Sequence, residues 1–287
     1  MNEFPDARPL VLLQDELAGA TDPAPGFTAA GCEVWRFSAL EMRDWRDRLR
    51  ALDDAFATGR PAIGFVSINV ADFIRMSCPA LNLTLAYRPQ ELRHHVWSAL
   101  VPLELQFNRS FILLPFGHLA SSAERIRRLY GDHLFLRPDS PRKVFAGLGC
   151  ATADLAETAS MLRQAHAVSD DSLVVVDRAQ PVAGHEYRFW IARGAPVAHA
   201  AYIFGAQGVD PDRPAPPCPA PIHALAGDLL RKAPLLETID DLLVADFILD
   251  AEGEPRLVEI NAWSTSGFYP GVDFDAIARA STEMSWA

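Results

Sequence analysis

Residues 242–261, LLVADFILDAEGEPRLVEIN, constrain this chain more than any other stretch. Two runs rich in Leu, Val, Ile and Phe flank Ala251-Glu252-Gly253-Glu254, a sequence suited to a four-residue turn, and together they predict an antiparallel hairpin. A turn that sets Asp250 against Pro255 places Asp246 directly opposite Glu259. Period-two alternation then gathers Asp246, Glu259 and Asn261 on one face and leaves Leu243, Ala245, Phe247, Val258 and Ile260 on the other. Two acids opposed across an antiparallel pair repel each other unless a positive charge compensates them. Asp246 also interrupts an otherwise apolar strand, so its face is at least half buried. Two carboxylates and an amide are hard oxygen ligands that suit Mg²⁺ shared with phosphates. A solvent-exposed polar hairpin face is the plainer alternative.

Around this hairpin, short β-rich apolar runs alternate with longer helical ones, the pattern of an α/β or α+β protein. Strands are expected at 10–13, 32–37, 62–68, 111–114, 134–137, 173–176, 186–192, 196–204, 242–249 and 256–260. Helices are expected at 40–57, 120–130, 152–167, 222–232 and 273–280, with 69–107 mostly helical between its prolines. Gly131 is the expected terminator of one helix and Thr152 the expected cap of the next. Residues 205–221 contain six prolines and read as an exposed loop. A boundary near Asn108 divides an N-terminal α/β domain, residues 1–108, from residues 109–287, which split further into lobes of about 109–180 and 181–287.

Composition narrows the function classes. Hydrophobic residues make up 49% and charged residues 22%, the balance of a globular protein with packed cores. A net charge of −11 argues against a general nucleic-acid binder, which needs a basic face. The four cysteines include no C-x-x-C pair, so neither a disulfide framework nor a zinc knuckle is expected. The opening MNEFPDARPLVLL is not a signal peptide, and no apolar run approaches the roughly 20 residues of a membrane helix. A cytoplasmic protein with neither nucleic-acid nor membrane partners is the expectation; its oligomeric state is open.

Two further groups of residues carry chemistry. Phe135-Leu136-Arg137-Pro138 ends a strand on a basic residue, and Lys143 follows in a loop that includes Gly147 and Gly149. Basic residues around a small-residue loop suit polyphosphate, although an ordinary charged surface loop reads the same way. On the strand around 186–192, Glu186 and Arg188 share one face, either as part of a site or as a simple ion pair. The P-loop pattern G-x-x-x-x-G-K-[ST] is absent.

Asp246, the turn and Glu259-Ile260-Asn261 resemble the metal-binding signature of the ATP-grasp superfamily. Members of that superfamily fold a nucleotide between two α+β lobes and join carboxylates to amines through acyl phosphates. The resemblance implies that Asp246, Glu259 and Asn261 hold Mg²⁺, with two ions bridging the phosphates of ATP. Most members carry Lys-Pro where this chain has Arg137-Pro138; the order Arg137 then Lys143 is similar to the clade marked by an Arg-then-Lys pair, which implies that both meet phosphates. Glu186-Tyr187-Arg188 resembles the superfamily's Glu-x-Arg strand, implying Glu186 beside the nucleotide and Arg188 on the transferring phosphate. The strand ending at Val176 and Asp177 is similar to the interlobe hinge, implying adenine on the backbone there and ribose on Asp177. Ser264, Ser266 and Gly267, just beyond Asn261, would line the substrate side. The resemblance spans about 111–273, and residues 1–108 carry no motif. It implies an ATP-dependent carboxylate–amine ligase acting on small molecules such as amino acids or peptides. An ATP-dependent phosphotransferase and a non-catalytic nucleotide-binding regulatory protein are the alternatives.

Overall fold

The computed structural model describes residues 8–18, 22–40, 62–77, 83–202 and 216–284. The helix expected at 40–57 lies, beyond Leu40, outside the described residues, as does most of the loop at 205–221.

Three sheets organise the described chain. Strands β1 (Leu10–Gln14), β2 (Glu33–Phe37) and β3 (Ala62–Phe65) pair in parallel in the order β2-β1-β3. Every residue of β1 is buried, as expected of a central parallel strand covered on both faces. A second, antiparallel sheet holds β4 (Ile112–Pro115), β5 (His133–Pro138), β6 (Leu148–Ala151) and β7 (Leu173–Arg178) in the order β4-β7-β5-β6. The third, also antiparallel, holds β8 (Ala183–Ala192), β9 (Ala195–Tyr202), β10 (Leu242–Leu249) and β11 (Pro255–Ala262) in the order β11-β10-β8-β9.

Several local expectations change. Among the described residues of 69–107, only Ile68–Ser77 and His94–Ala99 contribute α-helices; Thr84 instead bridges to Ile63 of β3. Residues 148–151, expected within a loop, form β6 by pairing with β5 from Leu136↔Leu148 to His133↔Ala151. Gly131 ends the helix Ala123–Tyr130 at φ 88°, a backbone conformation open to glycine. Thr152 does not cap the following helix. Its hydroxyl donates to the Gly131 carbonyl at 2.7 Å, and a 3₁₀ turn at Thr152–Asp154 leads into Leu155–His166.

The second sheet keeps its own core, with Leu134, Leu136, Val174 and Val176 packed against Leu155 and Leu162. The N-terminal sheet does not. Leu10 and Leu12 on one face belong to a core that includes Phe189 and Phe247, and Val11 and Leu13 on the other to a core with Trp190 and Val244. Both faces of the N-terminal sheet thus share apolar cores with the third sheet, across the boundary expected near Asn108.

Candidate active site

The hairpin of β10 and β11 pairs Asp246 with Glu259, as counted from the sequence, but by another route. Pro255 faces Leu249 rather than Asp250, and a β-bulge between Asp246 and Phe247 absorbs the difference. Asp250 leaves the ladder to close the turn, accepting from the backbone N–H of Glu252 (3.1 Å) and Glu254 (2.9 Å) and from Arg256 Nε (2.7 Å). Phe247 pairs with Leu257, so Val258 is the extra residue. Leu257 takes the core position expected of Val258, which is half-buried on the wall of a cavity.

On the other face of this sheet the charged residues meet. Arg188, opposite Asp246 in the β8–β10 pairing, donates from Nε to Oδ1 at 2.8 Å and from a terminal nitrogen to Oδ2 at 2.7 Å. Asn261 Nδ2 donates to the same Oδ2 at 2.8 Å. The Arg188 guanidinium also lies 5.2 Å from the centre of the Tyr269 ring. Glu259 receives Arg137 on one oxygen and Lys143 Nζ, at 2.8 Å, on the other. Burial alone would raise the Glu259 pKa; Arg137, Lys143 and Arg188 outweigh it and hold the group well below the usual carboxylate range. Glu186 is the reverse. Burial, then the charges of Asp246 and Glu259, push its pKa well above the usual value, and its Oε2 has no hydrogen-bond partner.

A cavity of about 550 Å³ opens between the second and third sheets. Arg137, Lys143, Glu186 and Glu259 line one part of it, and Phe107, Phe135 and Phe145 supply apolar surface. Gly147 is required by close approach: a Cβ there would stand 2.7 Å from the Phe135 ring. The turn that presents Lys143 closes through its N–H on the Ser140 carbonyl at 3.2 Å and holds Lys143 at φ 45°, a strained conformation for a residue with a side chain.

Other expected site residues sit elsewhere. Val176 is fully buried in the core of the second sheet, and Asp177 is fully buried with Oδ1 accepting from the Arg178 N–H at 2.7 Å. Neither lines the cavity; Ala179, Gln180 and Val182 do, because β7 runs on to Arg178 before the chain crosses to the third sheet. The Ser264 hydroxyl accepts from the Ala86 N–H at 3.0 Å, and its carbonyl accepts from Val66 N at 2.9 Å, so Ser264 ties two sheets together. Ser266 donates its hydroxyl to the Ala262 carbonyl at 2.6 Å and is buried. Of the three residues expected on the substrate side, only Gly267 stands beside open space. Asn108, expected only to mark a boundary, lines the cavity with a buried, unpartnered Oδ1. Its one signal in the sequence is a lone amide between Phe107 and Arg109.

The donor set fits a hard divalent cation. Among the described residues no three His, Cys, Asp or Glu side chains form a ready metal cage. Mg²⁺ needs only one or two carboxylates when phosphates complete its shell. Asp246, Glu259 and Asn261 supply two carboxylates and an amide on adjacent strands, and the orphaned buried Oε2 of Glu186, near the Asp246 and Glu259 carboxylates, is a further oxygen that a cation could engage.

The model of an ATP-grasp domain family, family 3 of the clade named for its Arg and Lys, matches residues 83–280. No curated protein matches by sequence. Among solved structures, a RimK-domain ATP-grasp protein from Sphaerobacter thermophilus superposes with a TM-score of 0.59 at 14% identity, covering 96% of this chain and 99% of that one. The D-cycloserine synthetase DcsG gives 0.57 at 12%, over 96% and 99%. A D-alanine–D-alanine ligase from Bacillus anthracis, solved with ATP, gives 0.54 at 13%, over 97% of each chain. The two antiparallel lobes around a charged cavity are thus the ATP-grasp fold, and the chain belongs to the ATP-grasp family, in family 3 of its Arg-and-Lys clade.

Proposed function

We propose that this protein is an ATP- and Mg²⁺-dependent carboxylate–amine ligase. The observation that carries the reading is the cavity wall on which Arg137 and Lys143 converge with Glu259 and with Glu186, whose Oε2 is unpartnered. Two of the similar structures, the D-alanine–D-alanine ligase and the D-cycloserine synthetase, are named for joining or building amino-acid derivatives.

ATP occupies the cavity in this reading, with its base against Phe135 and Phe145 and near residues 179–182. Its phosphates draw Arg137 and Lys143 away from Glu259, freeing that carboxylate. Asp246, Glu259 and Asn261, with Glu186 beside them, would hold Mg²⁺, which when bound would offset phosphate charge. Arg188, fixed by its two-point pair with Asp246, faces the substrate carboxylate and stabilises the charge that builds on the moving phosphoryl oxygens. The carboxylate oxygen bonds the γ-phosphorus, and ADP leaves. The amine nitrogen then attacks the acyl carbon, loses a proton, and expels phosphate. No side-chain nucleophile is needed.

The test is ADP release by the purified protein over a panel of amino acids and small peptides, with hydroxylamine as a surrogate amine. A hydroxamate with ADP and phosphate in equal amounts is expected. A stable phosphorylated product without free phosphate would make the protein a phosphotransferase, and nucleotide binding without any ADP would make it a regulatory module.

A further inference from the structure

A second cleft, of about 440 Å³, lies where the helix Ile68–Ser77, the segment before His94–Ala99 and the turn after β5 come together. Arg75, Arg93 and Arg142 line it from these three separate segments, with Gln90 and Ser140 between them and Asp72 as the one acid among its described lining residues. Asp72 takes the Arg142 guanidinium at 2.7 Å. Among the described residues, Arg75 has the Tyr87 carbonyl, at 3.5 Å, and the face of the Tyr87 ring, and makes no ion pair. Arg93 makes no ion pair among the described residues. In a chain whose net charge is −11, two unneutralised guanidinium groups in one concave site stand out. Like charges held together are unfavourable until an anion joins them.

The walls are braced before any ligand arrives. The Asp139 carbonyl accepts from His94 N at 2.9 Å, and its side chain accepts from His95 N at 3.0 Å, which docks the turn after β5 against the start of His94–Ala99. Arg142 ties the same turn to the helix Ile68–Ser77. Preorganised guanidinium forks bind carboxylate or phosphate oxygens in pairs at little entropic cost. The turn also joins the two sites, since Arg142 adjoins Lys143 of the nucleotide cavity.

We infer that this cleft binds the anionic tail of the ligase's own substrate: a carboxylate or phosphate group remote from the reacting carboxyl or amine. The assignment of the ligand as a substrate rests on the ligase reading; the anion site itself does not. Small, multiply charged acids are therefore the substrate class to try, ahead of neutral amino acids.

The test titrates citrate and inorganic phosphate separately, by calorimetry in low-chloride buffer, into the full chain and into Arg75→Gln and Arg93→Gln. Neither residue belongs to the nucleotide cavity, so both variants should bind ATP as the parent does, which also reports that they are folded. Saturable binding of at least one anion is expected, weakened roughly tenfold in each variant. Citrate alone would identify a carboxylate tail and phosphate alone a phosphorylated one; either supports the site. Absence of saturable binding for both anions, or undiminished binding in the variants, overturns it. Arginine-dependent anion binding without ADP release from any acid would sink the ligase reading while leaving the site standing.

Discussion

Arg188 and Asp246 face each other across β8 and β10 and are joined by two hydrogen bonds, of 2.8 and 2.7 Å, with both side chains almost wholly buried. Burial alone would lower the arginine's pKa, but the Asp246 charge outweighs it and raises it well above the usual value. A buried pair of this kind is worth less than the damage of breaking it, because the survivor is left as an uncompensated charge. Arg188→Met should therefore destabilise the protein by about 3–5 kcal/mol in urea unfolding. Adding Asp246→Asn should restore most of that loss without restoring ADP release. A double variant no more stable than Arg188→Met would show that the pair is not what the single change breaks.

Ser264 separates a structural role from a substrate role. Its buried hydroxyl accepts from Ala86 N, so Ser264→Ala leaves that N–H without a partner. The expected cost is about 1–3 kcal/mol of folding stability, with KM for the carboxylate unchanged below the melting range. A raised KM at full stability would return Ser264 to the substrate side.

The hairpin is legible in the sequence because β alternation and turn composition act locally, and Asp246↔Glu259 needs only a count. The bulge is not legible. Leu257 and Val258 are both apolar, so nothing in the pattern says which one faces the core. The two departures, a longer turn and an extra residue, cancel at Asp246. Residues 148–151, Leu-Gly-Cys-Ala, have little strand preference of their own; pairing with β5 makes them β6. Val176 and Asp177 look like a strand end because a polar residue follows valines, yet β7 continues to Arg178 and the cavity begins at Ala179. Ser264 and Ser266 lie beside the site in sequence, but their hydroxyls are spent on backbone groups that only the tertiary fold brings near.

Lys143 is half out in solvent and bonded to Glu259 at 2.8 Å, so its charge can transfer to a phosphate by a small movement. Lys143→Ala should weaken ATP binding roughly tenfold, and the parent's affinity should fall with added salt more steeply than the variant's. Equal salt dependence in the two proteins would remove Lys143 from the phosphate site.

Glu186 makes the pH dependence of the ligand-free protein predictable in sign. Burial first, and the charges of Asp246 and Glu259 next, raise its pKa in the folded state far above 4.5. A group with a raised folded pKa stabilises fully below its unfolded pKa and loses that contribution as pH rises through the folded value. Glu259, held low by its cations against its own burial, acts oppositely: its contribution is present above 4.5 and fades only in strong acid. Between these limits, raising the pH from about 5 to about 8 should erode stability through Glu186 alone of the two. Glu186→Gln keeps the shape and removes the charge, so the variant should melt higher than the parent near the alkaline end of that window. That advantage should shrink toward the acidic end, where the parent's carboxyl is already protonated. Melting curves recorded without nucleotide or metal decide the point: a pH-independent gap between the two proteins would mean that folding does not raise the pKa of Glu186. Adding Mg²⁺ and ATP should reverse the order, since the ligands favour the charged form of Glu186 and the glutamine cannot supply it.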